Sequence, residues 1–311
     1  MFPQYAKEVL AICKEEHITM GEVAIRHEME EDQITREEVL EGLGKALDVM
    51  FQAAEAGRNK KIISLSGLIG GDSTAIHAYT GKGGSIAGDV MTRAMAYAMS
   101  CSEVNASMGR IVAAPTAGAC GILPAVLRTF EEQRDASREE LISALATAGA
   151  MGIIIGQNAT ISGAEGGCQA ETGAAAAMAA GAAVQLMGGT PEMSLHAGSI
   201  VLMNMLGLVC DPVAGLVEIP CIYRNAQGTV NALTTADMIM AGVRSRIPFD
   251  EAVSAMAVVG RSMHENLRET GFGGIAGTPT GKRLREQIFG TVEITEVHKD
   301  HKQPRDENDH S

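Results

Sequence analysis

The chain has 311 residues, 46% hydrophobic but only 3% aromatic, with no Trp, 36 Gly and a formal net charge of −13. That length suits one large domain with a sizeable core, and its bulk must come from Ala, Met, Leu, Ile and Val, which favours closely packed helices. The acidic balance argues against a nucleic-acid partner, whose phosphates need a basic face.

The opening Met-Phe-Pro-Gln-Tyr-Ala-Lys-Glu lacks the basic and apolar regions of a signal peptide, so a cytoplasmic location is expected. Residues 1 to about 58 are charged and helical in pattern, and are expected to form a peripheral or subunit-facing layer. Within them Thr35-Arg-Glu-Glu38 is a capping box that opens a helix running to Gly57. Lys61 to Ser66 is the best strand candidate in a chain where alternating strands are scarce. From Ile62 to Gly121 the composition shifts to Gly, Ser and Ala. Two segments there, Gly67-Leu-Ile-Gly-Gly-Asp72 and Pro115-Thr-Ala-Gly-Ala-Cys-Gly121, read as loops that expose backbone N–H groups able to hold a carboxylate or phosphate. Gly81-Lys82-Gly-Gly-Ser85 lacks the Walker spacing and is a weak nucleotide signal.

Ser137-Arg-Glu-Glu140 is a second capping box, ahead of a helix into Met151. The apolar run from about Thr172 to Met187 is Ala-rich and too short for a membrane span, so it reads as a buried helix. Thr190-Pro191-Glu192 supplies an N-cap, a Pro at the first helical position and an acid in the first turn of a helix towards Leu208. A further helix is expected from Phe249 to Leu267, stopped by Gly271. The fold class expected is all-α: one helical domain over residues 1–290, then a polar tail over 291–311 expected to be disordered.

Six cysteines without a secretory signal point to a reducing compartment, where ligands or free thiols are more natural than disulfides. Cys13 and Cys101 read as small buried packing residues, and Cys120 as a packing residue near a site. Cys168, Cys210 and Cys221 differ, because each sits at a Gly or Pro break between apolar stretches. Three such thiolates suggest a metal site with an open position, although each could also be a buried hydrophobe. There is no C-x-x-C pair, so zinc-ribbon and ferredoxin patterns do not fit. Zinc would want a fourth protein ligand or a catalytic water. A cubane on three thiolates would leave one iron free as a Lewis acid.

Ser64 to Asp72, including Ser66, and Pro115 to Gly118, including Thr116, are plausible cradles for a small anion, or else tight turns between close-packed helices. Arg224 and Asn225 follow Cys221 closely, and Arg268 adjoins another glycine cluster. A bidentate Arg suits a carboxylate, while a surface ion pair is the plainer use of either Arg. His77, His196 and His264 are isolated, with hydrogen-bonded structural roles as the default.

Several segments together carry a resemblance: Ser102-Glu-Val-Asn-Ala-Ser-Met-Gly109, Ala114-Pro-Thr-Ala-Gly118, Ile161-Ser-Gly-Ala-Glu-Gly-Gly-Cys168-Gln-Ala-Glu, Leu208-Val-Cys210-Asp-Pro-Val-Ala-Gly-Leu-Val-Glu-Ile-Pro-Cys221 and Arg268-Glu-Thr-Gly. Over about residues 1 to 290 the chain resembles the α subunit of the two-subunit, iron–sulfur-dependent bacterial L-serine dehydratases. The resemblance implies an all-helical fold and conversion of L-serine to pyruvate and ammonia. It also implies a 4Fe-4S cluster held by Cys168, Cys210 and Cys221, whose open iron faces the substrate. Ser66, Asp72, Thr116, Gly118, Arg224, Asn225 and Arg268 become candidate substrate contacts. No residue is an evident base; a His on a partner chain is expected, with His77 and Lys82 as the candidates within this chain. Many relatives carry Asn where this chain has Ala117, which puts one polar contact in doubt. Single-chain relatives end in a cysteine and carry a Ser-Ser-His-Thr segment. Both are absent here, so that segment is expected on a separate β subunit of a hetero-oligomer. Two other readings stand beside this one. A pyridoxal-phosphate lyase needs a Schiff-base Lys, for which only Lys82 is placed. A non-catalytic helical scaffold would use the cysteines structurally.

Overall fold

Several helices begin where the sequence supplies a side-chain cap. In the computed structural model, which describes residues 1–290, Thr35 Oγ1 accepts the Glu38 N–H at 3.3 Å and Glu38 Oε2 accepts the Thr35 N–H at 2.8 Å. The expected tail over 291–311 lies outside the described residues. The N-terminal helices are α1 (Ala6–Glu16), α2 (Met20–Glu31) and α3 (Arg36–Ala56), with Gly57 as the C-cap of α3. Next come α4 (Asp72–Tyr79), α5 (Gly88–Ala106) and α6 (Ile122–Arg134). Ser137 and Glu140 form the second capping box and open α7 (Arg138–Asn158), which runs past Met151 because nothing in Gly-Ile-Ile-Ile breaks it. The short α8 (Gly163–Gly166) leads to α9 (Ala174–Leu186). Thr190 caps α10 (Pro191–Met205), which stops short of Leu208 because Gly207 turns the chain at φ 84°. The last three are α11 (Cys221–Met240), α12 (Phe249–Ser262) and α13 (Pro279–Phe289). α12 ends before Leu267, and Glu265–Leu267 forms a 3-10 turn instead, capped by the His264 ring.

The architecture is all-α. Among the described residues there is no strand, only isolated bridges of Ile63 with Gly70 and of Cys210 with Arg268. The strand expected at Lys61 to Ser66 is reduced to the first of these.

α9 is the centre of the core. Every residue from Ala174 to Val184 is buried, as expected of a helix that is apolar all round. It packs against α6, α7, α10 and α11. Small side chains set the spacing: a Cβ on Gly181 would lie 2.1 Å from Met151 Sδ. α7 is long and apolar enough to cross a membrane by length and composition, yet its Leu141, Met151, Ile154 and Ile155 are buried inside the bundle. Burying each such side chain contributes about 1.5–3 kcal/mol.

The first three helices form an outer layer that nevertheless buries one face in the core. Val9, Met20, Leu47, Met50 and Ala54 are all buried. α2 crosses α7 so closely that a Cβ on Gly21 would meet Ser143 O at 2.5 Å, and the Gly21 N–H donates to Thr147 Oγ1 at 2.9 Å. Charge along one face of these helices masks a buried stripe on the other, which is why the sequence reads as an outer layer.

Candidate active site

Three separate breaks bring Cys168, Cys210 and Cys221 together. Cys168 follows Gly167, which takes φ 76° and leaves no room for a side chain: a Cβ there would meet Leu208 O at 2.9 Å. The next N–H, of Gln169, donates to Leu208 O at 2.9 Å, which stitches the Cys168 turn to the segment that carries Cys210. Cys210 is held by backbone bonds on both sides, its N–H to Leu267 O at 2.8 Å and its carbonyl from the Glu269 N–H at 2.7 Å. Cys221 is the first residue of α11, directly after Pro220. Cys168 and Cys210 are buried and Cys221 is half-exposed, so Cys221 lies nearest solvent.

Burial pushes all three thiols up from the usual cysteine range, and the sulfurs are near enough for charge on one to disfavour charge on another. At Cys168, Arg224 and the Thr172 hydroxyl, 2.9 Å away, both oppose this shift. Cys13, Cys101 and Cys120 lie apart in packed apolar clusters, where burial raises Cys13 to about 11 and Cys120 to about 12.

Both glycine-rich loops are tied to the start of α11. Ser66 donates to Glu218 Oε2 at 2.7 Å, three residues before Cys221. The Asn225 amide donates to Gly118 O at 2.7 Å and to Cys221 O at 2.9 Å, and its oxygen accepts the Gly121 N–H at 2.8 Å. Asn225 therefore uses its side chain to hold the loop against Cys221. Arg224 is likewise engaged, donating to Val209 O at 2.7 Å and to the buried Asp211 at 2.8 Å. Asp72 opens α4, where its N–H donates to Glu103 Oε1 at 2.7 Å. Arg268 is the bridge partner of Cys210; its Nη1 points to Glu165 O at 3.5 Å and its Nε is buried without a partner. Ala117, in place of a polar residue, contributes only its carbonyl, which accepts from Asn105 at 3.1 Å.

His77 and Lys82 are placed elsewhere. His77 packs edge-on against Tyr97 and lines a 460 Å³ cavity with Arg58, Thr74 and Arg93. Lys82 is exposed in the loop after α4.

Glu171 belongs to the site, and the sequence analysis did not single it out. It sits in a π-helical turn, Gln169–Gly173, that separates Cys168 from α9; such wide turns often occur at functional sites. Its Oε2 is 3.8 Å from Cys210 Sγ. Burial holds its carboxyl above the usual range, with the charge of Glu269 adding to the shift and Thr116 and Cys210 opposing it. Thr116 Oγ1 stands beside this carboxylate, buried, but forms no hydrogen bond of good geometry. The signal was available: Glu171 is the only charged residue between Glu165 and Glu192.

The donor set is three soft sulfurs in a dry setting, which suits a thiophilic metal centre. No three His, Cys, Asp or Glu side chains among the described residues gather tightly enough for a single ion.

A family model described as "Serine dehydratase alpha chain" matches residues 14–276. The "Probable L-serine dehydratase, alpha chain" of Bacillus subtilis is 49% identical over 284 residues, 91% of this chain and 94% of that one. The "L-serine dehydratase, alpha chain" of Peptoniphilus asaccharolyticus is 47% identical over 284 residues, 91% of this chain and 97% of that one. The chain also aligns with 59% of a longer "L-serine dehydratase" from Streptomyces coelicolor, at 38% identity over 86% of its own length. By sequence, this chain belongs to the serine dehydratase alpha chain family.

Proposed function

We propose that this chain is the cluster-bearing α chain of an L-serine dehydratase, which eliminates water from L-serine and releases pyruvate and ammonia. The observation that carries the reading is the convergence of Cys168, Cys210 and Cys221 beside the Thr116–Gly121 loop. These three thiolates would hold a 4Fe-4S cluster. When bound, it supplies an open iron that stabilises a hydroxyl as it leaves.

The chain's own groups do the rest. The start of the Thr116–Gly121 loop would offer backbone N–H groups to the substrate carboxylate, since the Gly121 N–H is taken by Asn225 and those of Leu68, Ile69 and Asp72 by Ser66, Ser64 and Glu103. Arg224 anchors the Cys210 segment through Val209 O and Asp211, and it favours the Cys168 thiolate. Loss of the Cα proton and of hydroxide gives 2-aminoacrylate and water. The enamine gains a proton at Cβ and loses one from nitrogen to become the imine, and water then hydrolyses it to pyruvate and ammonia. The proton at Cα goes to a base on a β chain, in a cytoplasmic hetero-oligomer. A reducing compartment fits six cysteines that are all free.

The test is anaerobic reconstitution with iron and sulfide, scored by counting both elements and by pyruvate release from L-serine in the presence of the β chain. About four irons per chain, lost in Cys168→Ala, Cys210→Ala and Cys221→Ala but kept in Cys101→Ala, is the expected result. Full turnover by the metal-free complex would overturn the reading.

A further inference from the structure

The reading above, on which this inference rests, gives the hydroxyl and carboxylate of the amino acid partners but leaves its ammonium without one. Glu171 is the unmatched group on the protein side. Its carboxylate lies between two glycines: a Cβ on Gly163 would be 2.6 Å from Oε2, and a Cβ on Gly118 would be 3.3 Å from Oε1. Among the described residues no Lys, Arg or His forms an ion pair with it. Arg224 is committed to Val209 O and Asp211, and Arg268 points to Glu165 O. The neighbouring charge that acts on Glu171 is another anion, Glu269. Thr116 Oγ1, buried and unpartnered, stands beside the same carboxylate. A buried carboxylate is normally paired or neutralised, and here the protein supplies no cation.

We propose that Glu171, with Thr116 Oγ1, receives the α-ammonium of the substrate, so that this carboxylate selects an amino acid over the 2-hydroxy acid of the same skeleton. An ammonium has three donors and no acceptor. Two carboxylate oxygens and a hydroxyl match it, and its charge supplies the missing counter-ion. The carboxylate lies 3.8 Å from the Cys210 sulfur, so the ammonium would be held beside one of the three thiols.

The experiment uses the reconstituted complex with its β chain, as wild type, Glu171→Gln and Glu171→Asp. L-alanine and L-lactate are the probes, because neither can eliminate a β-hydroxyl; both are titrated calorimetrically. The wild type should prefer L-alanine. Glu171→Gln should weaken L-alanine about 10- to 100-fold, the range of a charged hydrogen bond, while leaving L-lactate and the iron and sulfide content unchanged. Its KM for L-serine should rise more than its kcat falls, and Glu171→Asp should lie between. Equal losses for both probes, or loss of iron in both variants, would make Glu171 a structural support and overturn the assignment. Unchanged L-alanine affinity with a collapsed kcat would make it the base, which also overturns it. A wild-type complex that holds its cluster but never converts L-serine would instead refute the underlying function.

Discussion

The Asn225 side-chain oxygen accepts the N–H of Gly121 at 2.8 Å, across 104 residues of sequence. Gly121 has to be glycine for this to happen, since a Cβ there would meet Ala98 O at 2.3 Å and Asn225 Oδ1 at 3.0 Å. The same amide holds Gly118 O and Cys221 O, so one side chain sets the position of the glycine-rich loop relative to a thiol. Asn225→Ala leaves the Gly121 N–H and the Gly118 carbonyl without partners. The expected cost is about 1–3 kcal/mol, typical of buried groups left unsatisfied. Thermal unfolding checks it, and a variant as stable as wild type would show that the loop is held by other contacts.

Gly163 is a sharper probe of the site than of the fold. A Cβ there would be 2.6 Å from Glu171 Oε2 and 3.0 Å from Cys210 Sγ. Gly163→Ala should displace both groups, at an overpacking cost of about 1–3 kcal/mol. Iron uptake and turnover should fall further than stability does. Unchanged iron content and L-serine turnover in a folded variant would mean that the site has slack that the structure does not show.

Much of the fold was legible because its signals are local. Thr35 with Glu38, Ser137 with Glu140, and Thr190 with Pro191 announce helix starts within four residues, and the structure forms all three. The buried faces of α1–α3 were not legible, because burial of Val9 depends on α10 and α12 and burial of Leu47 on α5, α6 and α7, all distant in sequence. At the site, Gly and Pro breaks marked the three cysteines. Glu171 was hidden by its Ala- and Gly-rich surroundings, although a lone acid in such a run is itself a sign of a buried charge with a task. Asn225 and Arg224 are polar and close to Cys221, which made them resemble substrate contacts. Only the folded arrangement shows that the Asn225 amide and the Arg224 fork are engaged with the backbone and Asp211.

Glu103 predicts a pH dependence. It is fully buried, caps the start of α4 by accepting the Asp72 N–H at 2.7 Å and the Ser73 N–H at 3.2 Å, and leaves Oε2 unpartnered. Burial raises its carboxyl above the ordinary value of 4.5, with the cap bonds opposing the shift. The folded state therefore holds this proton more tightly than the unfolded chain does. The contribution is fully present below the unfolded value and is lost as pH rises through the raised folded one. Glu103→Gln keeps one cap oxygen and removes the charge. Denaturant melts across that window should show a smaller fall in stability with rising pH than wild type. A variant with the wild-type slope would assign the proton to another group.

The α chain by itself should be nearly silent even with its cluster in place. Among the described residues, neither His77, His196 nor His264 is a convincing base. His77 faces a separate cavity with Arg58 and Arg93, and burial together with Arg58 lowers its pKa. His196 lies on α10, half-buried, and its pKa too is lowered by burial. His264 is exposed, its ring occupied in accepting the Asn266 N–H at 3.1 Å. Lys82 is exposed on a loop and bears no resemblance to a desolvated, activated amine. Absence of one general base typically costs about 10²–10⁴-fold in rate. Pyruvate release should therefore rise by about that factor when the β chain is added to anaerobically reconstituted α chain, with iron content the same on both sides of the comparison. Full turnover without the β chain would place the base within the 311 residues of this chain, and Glu171, whose Oε2 lies 3.8 Å from the Cys210 sulfur, would be the group to test beside His77 and Lys82.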